Sequence, residues 1–360
     1  MHFMSFRTLV WGTGNVGQAA LRIVLSNPEL ELAGVLVASP DKVGRDAGDL
    51  CDRAVTGIIA SDDVEAALAS GVDAVAYCAS GDFRPDEALA DIERCLAAGL
   101  NVVSTSVYPL YDPRSAPEEL RTRFEMAAAQ GGASLFVSGI DPGFINHLLP
   151  LVVSGLCEEI HEIRGYEIFN YSTYNAPEAV RDLVGFGTPL DSVPPMVMEG
   201  IPTMVWGGTI RLLARALGVE LDEIREIEER LPLAETVTVP VGTFEQGTQG
   251  ALRFEVQGIV DGRPAIVVEH ITRIHEDAAP DWPRSTDGRG AHGVRIKGRP
   301  NIELSIESEY PGDDRVAGGN ATAAAHIVNA IPAVCRAESG LLDILDLPLV
   351  YGRGLLRAPS

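Results

Sequence analysis

Cysteine, positive charge and long apolar runs are all scarce in this sequence. Its 360 residues include five cysteines and no C-x-x-C pair, so neither a disulfide framework nor a metal site is expected. Lys and Arg number 28 against 51 Asp and Glu, and the net charge of −23 would repel nucleic acid and anionic membrane surfaces. No stretch approaches the ~20 apolar residues that cross a bilayer, and the first apolar run breaks into glycines too early for a signal peptide. A cytoplasmic protein with reduced thiols is predicted.

Strand and helix signals alternate through the first part of the chain. Apolar, β-rich runs such as "RTLVWG" and "VDAVAYCAS" alternate with helical patterns such as "NVGQAALRIVLS" and "DEALADIERCLAAG". Helices that alternate with strands in this way favour parallel strands in a sheet covered on both faces. The sequence therefore predicts an α/β fold, with a doubly wound Rossmann domain over residues 1–145.

The pattern changes after "GIDPGF". The chain is mainly helical as far as about residue 230, with one strand near "HEIRGYEIFNYS". Apolar–polar alternation between Gly-rich turns then predicts an antiparallel sheet. Residues 146–318 are thus predicted to form an α+β domain for substrate binding and dimerisation. Residues 319–360 are predicted to form C-terminal helices that pack back on the Rossmann domain.

A glycine-rich turn follows the first predicted strand. "VWGTGNVG" contains G-x-G-x-x-G between a strand and a helix. Glycines at these positions permit a tight turn and a close approach of the backbone to a pyrophosphate, and the helix N-terminus offers unpaired N–H groups. Dinucleotide binding is therefore predicted at Gly12, Thr13, Gly14, Asn15 and Val16.

The second predicted strand ends without the acidic residue that usually grips an NAD ribose. In "VLVASPDKVGRDAG", Ser39, Lys42 and Arg45 offer hydrogen-bond donors and positive charge instead. A ribose 2′-phosphate favours such groups, whereas a 2′-hydroxyl favours a carboxylate. The sequence predicts NADP as the cofactor, with NADPH preferred over NADH. The alternative is a solvated loop in which Asp41 and Asp46 dilute the basic charge.

The ends of the next two strands are expected to border the nicotinamide. Ligands of doubly wound sheets bind outside the carboxyl ends of the strands. Small residues there would let the nicotinamide ring approach the backbone. The residues at these positions are Ala79, Ser80, Gly81 and Thr105.

Several segments together resemble a known family. "VWGTGNVG", "GIDPGFINHLLP", "NYSTYNAPEAVRDLVGFG" and "NATAAAHIVNAIPAVCRAESGLLDILDLP" are similar to the native amine dehydrogenases and 2,4-diaminopentanoate dehydrogenases. This group shares a dihydrodipicolinate-reductase N-terminal domain, and the resemblance covers nearly the whole chain. It implies an NAD(P)-dependent homodimer that interconverts amines with ketones plus ammonia.

The sequence departs from the family pattern in two places. Dihydrodipicolinate reductase carries a basic motif for its dicarboxylate substrate, but Arg164 is the only nearby cation in "HEIRGYEIFNYSTYN". Dihydrodipicolinate is therefore rejected as the substrate. The amine dehydrogenases resemble one another in an S-T-C-E stretch whose glutamate assists the amine chemistry, and here Val107 occupies the matching position. The obvious general acid or base is missing.

Three residues are candidates for a catalytic role. Tyr108 follows Val107 and would present a phenol to a carbonyl, and Tyr171 lies in a motif that the resemblance places at the pocket. His147 has a side chain suited to proton transfer near neutral pH. The alternatives are packing roles for the tyrosines and a satisfied structural histidine. His270 faces either a cleft or the sheet interior, and Asp141 acts either as a base or as support for a turn.

These patterns together predict an NADP(H)-dependent oxidoreductase of the amine-dehydrogenase type. Its partners would be a small apolar ketone, imine or amine and a second copy of the chain. Fold alone does not fix the reaction, so other functions stay open. They are an ammonia-independent ketone or imine reductase, a non-catalytic dinucleotide sensor, and a plain dihydrodipicolinate reductase.

Overall fold

Two compact units make up the chain. The computed structural model describes residues 5–81, 84–174, 176–310 and 315–356. One unit comprises Met1–Ile140 and Asn320–Ser360, and the other comprises Asp141–Gly319. The five cysteines are free thiols, and none of the described helices is long and apolar enough to cross a membrane.

Strands and helices alternate in the first unit and give way to longer strands in the second. The first unit begins with β1 (Phe6–Trp11), α1 (Asn15–Ser26), β2 (Leu30–Leu36), α2 (Val64–Leu68), β3 (Ala74–Tyr77), α3 (Pro85–Ala97), β4 (Asn101–Ser104), α4 (Glu118–Gly131) and β5 (Ser134–Val137). The second unit contains α5 (Leu148–Ser154), β6 (Glu159–Asn170), α6 (Ile201–Leu217), β7 (Glu223–Pro232), β8 (Val237–Val239), β9 (Gly242–Phe244), β10 (Gln249–Val260), β11 (Arg263–Arg273), β12 (Gly290–Arg299) and β13 (Ile302–Ile306). The chain then continues through α7 (Arg315–Val334) and β14 (Gly340–Leu342).

The first unit is the predicted Rossmann domain. Its six strands are all parallel and lie in the order β14-β5-β4-β3-β1-β2. The strand order reverses between β1 and β3, where a doubly wound sheet opens a crevice at its carboxyl edge. The turns that follow β1 and β3 are therefore the expected place for a dinucleotide.

The second unit is built on a mixed six-stranded sheet in the order β13-β12-β6-β11-β10-β7. The prediction of an α+β unit is confirmed, but the sheet is not wholly antiparallel, because β6 and β11 run parallel. Helix α6 packs on one face, where Trp206 contacts Phe254 of β10 with ring centroids 5.1 Å apart. Side chains of alternate residues on the central strands point to this same face.

Two predicted helical segments are strands in the structure. Residues 223–232, "EIREIEERLP", lie at the end of the stretch predicted to be mainly helical, and Glu and Arg favour helices, but they pair along β10 as the edge strand β7. Pairing along a long partner strand outweighs a weak intrinsic preference. The second of the predicted C-terminal helices is wrong as well, because Gly340–Leu342 forms β14 and pairs with β5 at the open edge of the first sheet.

Candidate functional site

The glycine turn after β1 packs directly against the end of β3. Gly12 has a φ of 93°, and a Cβ atom placed there would lie 2.8 Å from the backbone nitrogen of Ala79. A Cβ atom on Gly17 would lie 1.9 Å from the carbonyl oxygen of Gly12. Neither position has room for a side chain, so the turn requires glycine at both places.

The N-terminus of α1 is open beside this turn. Gly14 caps the helix without any side-chain hydrogen bond, and a Cβ atom on Gly14 would meet nothing within 4 Å. Gly14 and Asn15 are exposed, Thr13 is buried and Val16 is half-buried. The first turn of α1 carries no acidic residue, so its unpaired N–H groups can face an anion. This arrangement fits the pyrophosphate of a dinucleotide.

Lys42 links the loop after β2 to the glycine turn. Its Nζ donates a hydrogen bond to the carbonyl oxygen of Thr13 over 2.9 Å. Ser39 and Arg45 lie in the same loop and are exposed, and Arg45 Nη2 also donates to the Asp49 carbonyl oxygen over 3.3 Å. A lysine ammonium is therefore held beside the turn expected to bind phosphate.

Asp46 was expected to dilute this basic charge, but its carboxylate is hydrogen-bonded within the loop. Its carboxylate accepts hydrogen bonds from the backbone amides of Gly48, Thr56 and Gly57 over 2.7 to 2.9 Å. The hydrogen bond from the Thr56 amide is the main cause that lowers the pKa of Asp46. Asp46 therefore stabilises the loop as an ionised, fully engaged carboxylate.

The ends of β3 and β4 are tied together by serine hydroxyls. Ser106 Oγ donates to the Ala79 carbonyl oxygen over 2.6 Å, and Ser104 Oγ donates to that of Tyr77 over 3.1 Å. Ala79, Gly81 and Thr105 are half-buried and Ser80 is exposed at this edge. All four predicted nicotinamide-edge residues thus belong to one stretch of the carboxyl edge of the first sheet.

Val107, at the position matched to the family glutamate, has a strained backbone. Its φ and ψ are 70° and 61°, in the left-handed region that β-branched residues rarely adopt. This conformation costs about 1–2 kcal/mol for an ordinary residue. Tyr108 follows at the start of a short 3-10 turn and stacks on Tyr111 with ring centroids 6.1 Å apart.

In the second unit, a row of polar side chains crosses one face of the sheet. The strand register places His292 of β12 beside Glu167 of β6, Glu167 beside His270 of β11, and His270 beside Phe254 of β10. His292 Nε2 lies 3.1 Å from Glu167 Oε2. Three titratable groups from three strands are therefore neighbours on a largely buried surface.

Asp141 lies against this row and is fully enclosed. Its side chain is 0% exposed, and Oδ1 accepts hydrogen bonds from Trp206 Nε1 at 2.6 Å and His270 Nε2 at 3.1 Å. Asn146 Nδ2 donates to Oδ2 over 3.3 Å. Burial alone would raise the pKa of Asp141, but the charge and hydrogen bond of His270 lower it. The carboxylate is thus ionised at neutral pH.

His270 is the partner of Asp141, and its pKa is raised. Burial would lower its pKa, but the charge and hydrogen bond of Asp141 raise it, with Glu167 and Glu269 adding to the effect. The ring lies parallel to Phe254, with centroids 4.6 Å apart, and 4.5 Å from Trp206. Its Nδ1 atom, like Nδ1 of His292, has no hydrogen-bond partner among the described residues.

Tyr171, immediately after β6, completes the cluster. Its hydroxyl donates to Glu167 Oε1 over 3.2 Å. Burial, followed by the charge of Glu167, raises the pKa of Tyr171 well above its ordinary value, so the phenol stays protonated. Tyr174 and Phe186 pack edge-on against its ring. We refer to Asp141, Glu167, Tyr171, His270 and His292 as the carboxylate–histidine cluster.

His147 has a capping role. It precedes α5, is 1% exposed, and its Nδ1 accepts a hydrogen bond from the Leu148 amide over 2.6 Å. This bond uses the Nδ1 lone pair as an acceptor. The geometry gives His147 a structural task that proton transfer at Nδ1 would interrupt.

Part of the cluster has the composition of a metal site. Single ligand atoms of Asp141, Glu167 and His270 lie within 4.8 Å of one another. Oδ1 of Asp141, however, already accepts two N–H groups, which a cation would displace. Glu167 is held instead by Tyr171 and His292.

Reasoning from sequence found only part of this cluster. It selected Tyr171, left open whether His270 faces a cleft and whether Asp141 acts as a base, and did not single out Glu167. Each of Glu167, His270 and His292 lies at an alternate position of an apolar strand, which is the signal that was available. Which strands lie side by side could not be inferred, because register depends on long-range pairing.

Comparison with known proteins identifies the family of this chain. Residues 144–354 match the family model for the 2,4-diaminopentanoate dehydrogenase C-terminal domain, and residues 6–106 match that for the dihydrodipicolinate reductase N-terminus. An amine dehydrogenase from Streptomyces virginiae is 58% identical over 346 residues, which cover 95% of this chain and 96% of the relative. The chain belongs to the amine dehydrogenase and 2,4-diaminopentanoate dehydrogenase family.

More distant members of the family agree with this assignment. The 2,4-diaminopentanoate dehydrogenase of Acetoanaerobium sticklandii is 27% identical and covers 95% of this chain and 93% of its own length. The solved amine dehydrogenase of Mycobacterium smegmatis has the same fold, with a TM-score of 0.78, 21% identity and coverage of 99% of this chain and 100% of its own. As a member of this family, the chain is an NAD(P)-dependent oxidoreductase.

Proposed function

We propose that this protein is an NADP(H)-dependent amine dehydrogenase that interconverts a small apolar ketone plus ammonia with the corresponding primary amine. The observation that carries this proposal is the 58% identity to an amine dehydrogenase over 95% of the chain. At this similarity the two proteins share nearly their whole length, so both units correspond.

The first unit supplies the features that a dinucleotide needs. Gly12, Thr13, Gly14, Asn15 and Val16 would hold the pyrophosphate at the open N-terminus of α1. Ala79, Ser80, Gly81 and Thr105 would border the nicotinamide, with Ser39, Lys42 and Arg45 at the 2′-phosphate. A bound NADPH supplies the hydride, and the protein orients and polarises the substrate.

The balanced charge of Arg164 in the second unit supports an uncharged ketone as the substrate. Arg164 contacts Glu162, Glu255 and Glu269 over 2.7 to 3.1 Å, so its charge is balanced within the sheet. It alternates with Glu167 along β6 and therefore points to the other face. A dicarboxylate would need fixed positive charge that Arg164 does not offer.

The three predicted catalytic side chains receive different roles in this proposal. Tyr171 would act through Glu167, whose Oε1 accepts the hydrogen bond of its protonated hydroxyl. Tyr108 would polarise the carbonyl from the carboxyl edge of the first sheet. His147 would support the site by capping α5. We also propose that the protein works in the cytoplasm as a homodimer, in line with its free thiols and with the family resemblance.

Consumption of reduced cofactor in the presence and absence of ammonium tests this function. We expect NADPH to be oxidised with small linear and cyclic ketones only when ammonium is present, because reduction requires the imine. Tetramethylammonium chloride at equal ionic strength is the control for salt. Ammonium-independent oxidation would identify a ketone reductase, the alternative that the absence of a glutamate at position 107 leaves open. Tight NADPH binding without turnover of any ketone would identify a dinucleotide sensor.

The cofactor preference is tested by removing the two cations of the loop after β2. Charged hydrogen bonds contribute about 1.5–3 kcal/mol each, or about 3–6 kcal/mol for two, so Lys42→Ala with Arg45→Ala should weaken NADPH binding roughly 10²- to 10⁴-fold. NADH binding should change much less, because NADH has no 2′-phosphate. Arg53→Ala, at an exposed position of the same unit, is the matched control. Equal losses for both cofactors would mean that this pair does not bind the 2′-phosphate.

A further inference from the structure

Reductive amination requires a group that takes up and returns protons. Ammonium must lose a proton before its nitrogen can attack a carbonyl, and the hydroxyl of the resulting carbinolamine must gain one before it leaves as water. The described segments that end β3 and β4, residues 78–81 and 105–108, contain no carboxylate. Carboxylates of the second unit are therefore candidates for the proton carrier.

We propose that Glu167 is this proton carrier, with Tyr171 and His292 as the residues that position it. The inference rests on the proposed amine dehydrogenase function and assigns to one residue of this chain the acid–base step within it. Three observations on the second unit support the assignment.

The first observation is the accessibility of the two carboxylates in the cluster. The Glu167 side chain is 15% exposed, whereas that of Asp141 is 0% exposed. Asp141 already accepts N–H groups from Trp206, His270 and Asn146. Asp141 is therefore committed to holding His270, and Glu167 is the more exposed of the two carboxylates.

The second observation is the orientation of Glu167. Tyr171 donates to Oε1 over 3.2 Å and His292 Nε2 contacts Oε2 over 3.1 Å, so each oxygen is fixed by one partner. A carboxylate oxygen can accept more than one hydrogen bond, which leaves each oxygen able to accept a donor from an ammonium ion. The phenol and the imidazole thus set the direction in which Glu167 presents its remaining acceptors.

The third observation is the arrangement of charge around the site. His270 lies beside Glu167 in the strand register, and the charge and hydrogen bond of Asp141 raise the pKa of His270. The cluster thus contains two carboxylates and two imidazoles, and the carboxylate oxygens of Glu167 are the acceptors that it offers to a cation such as ammonium or a protonated amine. The Nδ1 atoms of His270 and His292 are buried without partners among the described residues, so the cluster retains hydrogen-bonding capacity.

The chemistry balances with Glu167 as the only proton carrier that changes state. Glu167 takes one proton from ammonium, and the nitrogen lone pair forms the C–N bond as the carbonyl π electrons move to oxygen. A proton passes from nitrogen to that oxygen, giving the neutral carbinolamine. Glu167 then returns its proton to the hydroxyl, the C–O bond breaks, and water and an iminium ion form. Ketone plus ammonium thus yields iminium plus water, and Glu167 ends as the carboxylate.

The test compares Glu167→Gln with the wild-type holoenzyme in two reactions. For a ketone with ammonium, kcat/KM for ammonium should fall by roughly 10²- to 10⁴-fold, the usual contribution of general acid–base catalysis. For reduction of a preformed cyclic imine, 2-methyl-1-pyrroline, kcat should fall much less than for the ketone with ammonium, because its C=N bond already exists. Glu167→Asp should recover part of the ammonium-dependent rate and keep a pH dependence that the Gln variant loses. Glu303→Gln, on β13 of the same sheet and 58% exposed, is the matched control.

Calorimetric binding of cyclohexylamine to the cofactor-free protein provides a readout that does not depend on turnover. Binding should weaken at least tenfold in Glu167→Gln and remain unchanged in Glu303→Gln. Equal loss of ketone and imine reduction in Glu167→Gln, with a lowered melting temperature, would overturn the assignment in favour of a structural role. An unchanged ammonium-dependent rate would also overturn it. A wild-type enzyme that consumes NADPH without ammonium would instead contradict the proposed function. The calorimetric comparison would then still test whether Glu167 binds the amine.

Discussion

Gly17→Ala is expected to weaken dinucleotide binding by roughly 100-fold or more, about 2.8 kcal/mol. The added Cβ atom would lie 1.9 Å from the Gly12 carbonyl oxygen, so the turn between β1 and α1 must move. The N–H groups at the start of α1 would then no longer point to the pyrophosphate. Fluorescence titration with NADPH and with NADH measures the loss, which should be similar for both cofactors because they share the pyrophosphate.

Two neighbouring substitutions distinguish distortion of the glycine turn from weaker contact with the phosphate. Gly14→Ala adds a Cβ atom that meets nothing within 4 Å in the free protein, so it should preserve stability and weaken only binding, by crowding the approaching phosphate. Gln18→Ala, one residue beyond Gly17 in α1, should alter neither the stability nor the dinucleotide binding. Wild-type affinity in Gly17→Ala would show that this turn does not bind the dinucleotide.

Asp141→Asn is expected to destabilise the second unit by about 2–3 kcal/mol near pH 6, the range for a hydrogen bond to a charged group. The asparagine keeps the shape of the side chain but removes the charge that holds His270 protonated. Urea unfolding followed by tryptophan fluorescence suits this test, because two of the three tryptophans, Trp206 and Trp282, belong to this unit. Asp277→Asn, at a side chain 83% exposed, is the matched control.

The stability difference should depend on pH in a defined direction. The folded-state pKa of His270 is raised, so its stabilisation is complete below its unfolded pKa of about 6.5 and is lost as pH rises through the folded value. The pKa of Asp141 is lowered, so the stabilisation from its carboxylate is present above the ordinary pKa of about 3.8 and is lost as pH falls further. The wild type should therefore approach Asp141→Asn in stability as the pH rises above about 6.5 and through the folded-state pKa of His270. A difference that grows over this range would refute the ion pair.

The first unit was predictable from sequence because its signals are local. A strand, three spaced glycines and an amphipathic helix lie within residues 6–26, and together they specify both the fold and the place of the turn. The basic loop after β2 follows within twenty residues. The contact between Lys42 Nζ and the Thr13 carbonyl needed the structure, since it joins residues 29 apart.

The cluster in the second unit depends on information that the sequence does not display. Glu167, His270 and His292 come from three strands up to 125 residues apart and become neighbours only through register. Each looks locally like an isolated polar residue in an apolar strand. The same long-range pairing turned the charged segment of β7 and the short β14 into strands where local propensity favoured helices.

The central claim is that ammonia supplies the nitrogen of the product amine. Incubation of the enzyme with NADPH, cyclohexanone and ¹⁵N-labelled ammonium, followed by mass spectrometry, tests it most directly. We predict cyclohexylamine one mass unit heavier than the ¹⁴N product, formed in step with NADPH oxidation. Formation of cyclohexanol in place of the labelled amine would contradict the account.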